Sequence, residues 1–234
     1  MDVSEFLRQF MIVDIFVTNF GTLMQGLVFT FELAIVSMVF GTIFGVLLAL
    51  GRSFGTKLLS WLCTAYIEII RGTPLLAQLF ILYFALPPYG IRLSAITVAF
   101  LGFTLNSAAY QAEYTRGSIE AVGEDQYMAA HSLGMSSWQT IIYVVLPQAI
   151  RWSIPAWTNE LIYLLKSTSI AYVIGAPDLL TQGKFIASRN YQFFRVYLIV
   201  AIIYLVIVLA AARLIGKIEK KIEIPGFGYT KNQR

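Results

Sequence analysis

The residues of this 234-residue chain whose types could do chemistry are polar groups set inside apolar runs. In the stretch NELIYLLKSTSI, Glu160, Tyr163 and Ser167 are read as one helical face, with Asn159 and Lys166 on an adjoining line. In an earlier run Asn106, Tyr110 and Glu113 recur at i, i+4 and i+7. Counting along the two runs puts Asn106 and Glu160 near the middle of each, and Glu113 near an end. Buried charges are costly and mark function: the Glu160 carboxylate would face an ammonium or guanidinium, while amides and hydroxyls would meet a carboxylate. On the functional reading this is a polar cavity where a zwitterion could pause. The competing reading is that these groups pair within the bundle or across a dimer interface. A further cluster holds Glu68, Arg71, Gly72, Thr73, Pro74 and Gln78. There Glu68 and Arg71 at i, i+3 can pair locally, and Gly72 and Pro74 interrupt the helix.

None of this is covalent chemistry, and no catalytic residue is expected. The chain has no G-x-x-x-x-G-K-[ST] phosphate loop; QGKF at 182–185 is only a fragment. Cys63 is the only cysteine and His131 the only histidine, so neither a disulfide nor a metal site is expected.

The elements that position these groups follow from composition. The chain is 58% hydrophobic and 13% charged, with a mean hydropathy of +0.71, against about 25% charged in soluble domains. It reads as an all-α integral membrane protein, a single domain over 1–234 surrounded by membrane lipid. Its runs lack the period-two alternation of a barrel. Five spans are expected, at about 22–50, 58–86, 94–115, 152–172 and 194–215. Ser37, Gly41 and Gly45 in the first span form a small-residue stripe that either admits a neighbouring helix closely or reflects how common glycine is in membrane helices.

Orientation is read from basic residues. One side receives Arg52, Lys57, Arg116, Arg151, Arg213, Lys217, Lys220, Lys221, Lys231 and Arg234; the other receives Arg8, Arg92, Lys184, Arg189 and Arg195. That places the N-terminus outside and the C-terminus in the cytoplasm of a multi-pass cell-membrane protein. The start MDVSEFLRQFMIVDIF lacks the features of a signal peptide and reads as a short amphipathic helix at the outer interface. The net charge of +4 is an orientation signal, and no nucleic-acid partner is expected. Asp178, Arg189 and Tyr191 in the last outer loop are candidates for a surface contact, with a binding protein if the family resemblance given below holds.

The connection at about 116–149 is too long for a spacer. Ala129, Ala130 and Leu133, and then Trp138, Ile141, Ile142 and Val145, form two one-sided helical patterns separated by Gly134. Ser136 or Ser137 can cap the second, and Pro147 is expected to stop or kink the backbone before the next span. Two short helices presenting a small-residue surface at the inner face are expected.

These residues carry a resemblance. DQYMAAHSLGMSSWQTIIYVVLPQAI resembles the EAA loop of importer permeases in the ABC (ATP-binding cassette) transporter superfamily, in its polar amino-acid family. Gln126, Ala129, Ala130, Leu133, Gly134, Leu146, Pro147, Gln148 and Ala149 match that loop. YIEIIRGTPLLAQLF at 66–80, NSAAYQAEYTRGSIEAV at 106–122 and NELIYLLKSTSI at 159–170 match in order. The resemblance implies a type I importer permease with about five transmembrane helices and short coupling helices. Gln126, Met128, Ala129, Ala130, Leu133, Gly134 and Met135 would then seat in a groove of a separate ATP-binding subunit. That subunit would hold ATP and Mg, and this chain would bind no cofactor. A second permease copy or a sister permease, and an extracytoplasmic binding protein delivering an amino acid, complete the implied assembly. Two positions depart from the pattern: Asp125 stands where glycine is usual, and Met128 where the signature glutamate is usual. Candidate substrate-binding residues are Glu160, Asn159, Asn106, Tyr110, Glu113, Tyr163 and Gln78, with Glu160 beside Asn159 pointing to a cationic substrate. Secondary transport or a channel driven by an ion gradient is the alternative.

Overall fold

The structure, a computed structural model, describes residues 12–222. The proposed N-terminal amphipathic helix therefore lies mostly outside the described residues. Among those residues the chain is helical with no strands. Helix α1 (Ile12–Thr18) leads through Asn19 into α2 (Phe20–Phe54), a rod of 35 residues and about 52 Å at 1.5 Å per residue. Next come α3 (Lys57–Arg71) and α4 (Leu75–Phe80), the latter extended by a π turn over Ile81–Ala85 and a 3-10 turn over Pro87–Tyr89. Helix α5 (Ala95–Ala121) is followed by α6 (Glu124–Ser132) and α7 (Ser137–Thr140). A π turn over Ile141–Val145 joins α7 to α8 (Leu146–Ser167), after which a 3-10 turn (Thr168–Ile174), α9 (Leu179–Asn190) and α10 (Phe193–Ile222) complete the chain.

Helices occupy all five expected stretches. Among the described residues two, Phe20–Phe54 and Phe193–Lys217, are long and apolar enough to cross a membrane alone; the pair Lys57–Arg71 and Leu75–Tyr89 makes a third if counted as one span. That pair is bent by 101°, so the second stretch is two helices at a right angle rather than one kinked rod. The cause is local. Pro74 has no N–H to give to the Ile70 carbonyl, and the Gln78 side chain supplies it instead, donating to Ile70 O at 2.7 Å and to Thr73 O at 3.1 Å. Asn106 then donates to Gln78 Oε1 at 3.1 Å, fastening the break to α5.

The centre of the bundle is α2 against α5. A Cβ added at Gly41 would lie 2.5 Å from Ser107 Oγ, and one at Gly45 2.5 Å from Gln111 Cβ. The stripe Ser37–Gly41–Gly45 is thus buried against α5, which decides between the two readings of those glycines. Pro147, expected to stop or kink the chain, sits in the first turn of α8 with helix on both sides. The preceding π turn, in which the Leu146 N–H bonds to Ile141 O, carries the helix smoothly into the proline, so α7 and α8 run on. Pro155 likewise lies inside an unbroken α8 rather than opening it.

Candidate functional site

Glu160 is carried on α8 and is 3% exposed. The Tyr114 hydroxyl donates to its Oε2 at 3.4 Å, and Oε1 is buried with no hydrogen-bond partner among the described residues. A carboxylate oxygen held away from water and left without a donor costs free energy, so this one adds nothing to the stability of the bundle. Asn159, Tyr163 and Lys166 line the exposed side of the same helix. Tyr163 therefore groups with Asn159 and Lys166 instead of with Glu160 and Ser167, both of which are buried. Three residues advance a helix by about 300°, which leaves Tyr163 roughly 60° from Glu160 and on the outward side.

The Tyr114 contact also fixes the level of Glu160. The two carboxylate-bearing runs were expected to bring Asn106 and Glu160 to one depth. Instead Glu160 sits opposite Tyr114, eight residues further along α5 than Asn106 and about 12 Å away along the axis. Asn106 and Gln78 bond to each other at the break between α3 and α4, so they form one polar group and Glu160 with Tyr114 another. Tyr110 lies between them on α5, its ring 6.4 Å from that of Tyr114.

Glu113 is the hub of a charged cluster that reaches across three helices. Arg52 of α2 donates to it at 2.8 Å, Arg116 grips it with Nε at 2.7 Å and with a second nitrogen, and Arg71 of α3 approaches to 3.7 Å. The expected local pair of Glu68 with Arg71 is replaced by longer-range partners. Glu68 meets Arg52 at 3.5 Å and Arg71 turns to Glu113, because α3 crosses α2 and α5 where Glu113 projects between them. Arg116 also pairs with Glu120 on the next turn. This joins α2, α3 and α5 just before the chain enters α6.

The loop between α5 and α8 is built as the glycine and serine signals predict. Gly134 adopts φ +78, and Ser136 forms a capping box with Gln139, whose backbone N–H reaches Ser136 Oγ at 3.4 Å while Gln139 Oε1 accepts from Ser136 N at 2.8 Å. His131 Nδ1 meets Met135 O at 2.9 Å and closes the same turn; no cluster able to hold a metal occurs among the described residues. The surface differs from expectation. Ala130 turns inward and Ala129 outward, as residues about 100° apart must. Ile141 and Val145 are buried while Trp138 and Ile142 are exposed, so the second pattern is split between two sides. What the loop presents is therefore large and apolar: Met128, Leu133, Trp138, Ile142 and Tyr143, with Leu133 83% exposed. Gln126 is exposed beside them and accepts from Gln148 at 3.4 Å, and Met135 lies partly covered at the turn.

Sequence reasoning passed over Tyr114, Arg52 and Arg116. Tyr114 follows Tyr110 by one turn, a visible signal, whereas Arg52 and Arg116 had been read only as orientation charges. In the connection before α9 Asp178 is fully buried, which corrects its reading as a surface contact. It caps α9, accepting from Leu180 N at 3.1 Å and Thr181 N at 3.0 Å, and takes the Tyr204 hydroxyl at 3.3 Å.

Comparison with known proteins gives consistent results. Residues 41–224 match the model of the family described as binding-protein-dependent transport system inner membrane component. The chain is 42% identical over 205 residues to the probable amino-acid ABC transporter permease protein YckA of Bacillus subtilis, covering 88% of this chain and 91% of that one. It is 34% identical over 204 residues to the glutamine transport system permease protein GlnP of Escherichia coli, covering 86% and 93%. The crystal structure of an amino acid ABC transporter with histidines superposes with a TM-score of 0.83 at 38% identity, covering 88% of this chain and 96% of that one. The MetNI methionine ABC transporter in an inward-facing conformation shares the fold, with a TM-score of 0.73 at 20% identity and coverage of 88% and 99%.

Proposed function

Since this chain belongs to the family of binding-protein-dependent transport system inner membrane components, as an amino-acid ABC transporter permease subunit, we propose that it moves an amino acid bearing a cationic group, recognised at Glu160. Family membership displaces the alternative of a carrier or channel driven by an ion gradient. The observation that carries the substrate reading is the Glu160 carboxylate, buried, bonded once by Tyr114 and otherwise unanswered among the described residues. One helical step of about 100° separates it from exposed Asn159, so a modest rotation of α8 turns it toward a ligand.

In the proposed assembly five spans hold the N-terminus outside and the C-terminus in the cytoplasm. A binding protein hands over substrate on the outer side. A second permease copy or a sister permease completes the path, and ATP with Mg is hydrolysed on separate subunits gripped by the exposed apolar face of α6 and α7. Gln126 and Met135 border that face, and Ala129, Ala130 and Gly134 shape it. Asn159 and Tyr163 flank the substrate, while Asn106, Tyr110 and Gln78 line the path toward the outside. Glu113, with its carboxylate given to three arginines, serves the framework.

Glu160→Gln keeps the size of the side chain and its acceptor for Tyr114 while removing the charge. Loss of a charge-assisted bond is expected to raise KM for arginine or lysine about 10- to 100-fold. Neutral amino acids should change by less than about twofold. The measurement is uptake into proteoliposomes holding the assembled transporter; equal effects on cationic and neutral substrates would reject the assignment.

A further inference from the structure

The charged cluster around Glu113 is unbalanced, and the imbalance has a location. Three guanidiniums converge on one largely buried carboxylate, Glu113. Two of them have a second acid at the exposed rim: Arg52 has Glu68 and Arg116 has Glu120. Among the described residues the one acid near Arg71 is Glu113 at 3.7 Å, too long for a hydrogen bond, and its Nε is buried with no acceptor there. An arginine offers five donors in a planar fork suited to a carboxylate, so Arg71 has donors to spare. It is the last residue of α3, immediately before the Gly72–Pro74 break.

Those spare donors face a particular neighbour. The Arg71 guanidinium carbon lies 5.5 Å from the centroid of the Tyr110 ring. The Tyr110 ring is 6.4 Å from that of Tyr114, and the Tyr114 hydroxyl donates to Glu160. The Tyr114 phenol is also within electrostatic reach of both Glu160 and Arg71. A strip along α5 therefore has surplus donors at one end, two phenol rings in the middle and a surplus acceptor at the other. That arrangement is complementary to a zwitterion.

We propose that Arg71 is the residue that binds the substrate α-carboxylate, with Tyr110 and Tyr114 as the wall between it and the cationic end at Glu160. This rests on the reading of Glu160 as the cation site, yet the two parts can fail separately. Arg71 reads the group common to all α-amino acids, and Glu160 reads the group that distinguishes some of them. Arg71 is thus a determinant of amino acids against amines, and Glu160 of cationic against neutral ones.

The test uses the purified permease in complex with its ATP-binding subunits, without binding protein, so that the affinity is that of the membrane site. Two probe pairs differ only in the carboxylate: L-arginine with agmatine, and L-glutamine with 4-aminobutanamide. The native complex should bind the carboxylate-bearing member of a pair about 10- to 100-fold more tightly, the worth of one charge-assisted pair. Arg71→Gln should abolish that preference by weakening the amino acid and leaving the amine unchanged, and Arg71→Lys should restore part of it. Glu113→Gln releases Arg71 from its long ion pair and should preserve or sharpen the preference. If Arg71 only braced the bundle, Glu113→Gln would reproduce the loss and both members of a pair would weaken together, and the proposal would fall. If Arg71→Gln removed the carboxylate preference while Glu160→Gln weakened arginine and glutamine alike, the carboxylate site would stand and the cation site would not.

Discussion

Leu133→Asp is expected to reduce substrate-stimulated ATP hydrolysis and transport by the assembled complex more than tenfold, while the permease itself folds normally. Leu133 is 83% exposed and touches little of its own chain, so the substitution removes almost no internal packing. It sits at the C-cap of α6, one residue before Gly134 with its φ of +78, and this turn pushes it out between the exposed Met128 and Trp138. In the proposed interface with the ATP-binding subunit a carboxylate there would have to be desolvated, and interface positions of this kind cost about 2 kcal/mol or more. Met128→Glu should change coupling by no more than about fivefold, because a surface charge pair contributes about 0–1 kcal/mol. Reconstituted ATPase assays with and without substrate, together with pull-down of the ATP-binding subunit, read both variants. If Leu133→Asp left coupling intact while Met128→Glu changed it strongly, the grip would be one of charge rather than shape.

The helices and the loop signals were legible because each rests on local rules. Gly134, Ser136 and the boundaries near 22–50 and 194–215 follow from turn chemistry and from unbroken apolar runs. The α3–α4 bend was legible as a break but not as a right angle. The angle depends on Gln78 answering the Ile70 carbonyl and on Asn106 holding Gln78, a contact between residues 28 positions apart. The pairing of Glu68 with Arg71 failed for the same reason: an i, i+3 rule sees one helix, and Arg52 and Glu113 arrive from two others. The misplacement of Glu160 against Asn106 has a different source. Counting from the ends of apolar runs assumes that spans start level, whereas α8 begins at Leu146, six residues before the run that was counted.

The same contacts explain how chemistry on α8 can be linked to the loop. Helix α5 runs unbroken from Asn106 past Tyr114 and Glu113 to Ala121, with α6 starting at Glu124. Under the proposed function, displacement of the loop would be passed along this one helical rod to Tyr114, which touches Glu160. Arg52 and Arg116 on Glu113 brace that rod against α2 and its own last turns. Packed rigid helices can carry a displacement that a compliant chain would absorb.

Gly45→Val is expected to destabilise the permease by about 3 kcal/mol or more, at or beyond the upper end of overpacked cores. A Cβ at this position meets Gln111 Cβ at 2.5 Å, Ala108 O at 3.0 Å and Ala112 N at 3.0 Å. Two of those three atoms are backbone, so no rotamer change relieves the clash and α2 and α5 must separate. Separation also loosens what the close approach supports, including Gln111 on Met38 at 2.9 Å and Arg52 on Glu113 at 2.8 Å. For a chain of this size about 3 kcal/mol corresponds to roughly 6–12 °C in the unfolding midpoint, read from the detergent-solubilised protein by tryptophan fluorescence. Gly21→Val is the control, since nothing lies within 4 Å of a Cβ there and the same side chain is added without a clash. A midpoint for Gly45→Val equal to that of Gly21→Val would mean that the small-residue stripe is incidental to the bundle. A midpoint far below it, with transport lost in parallel, would mean that α2 must lie directly on the backbone of α5 for that rod to be guided at all.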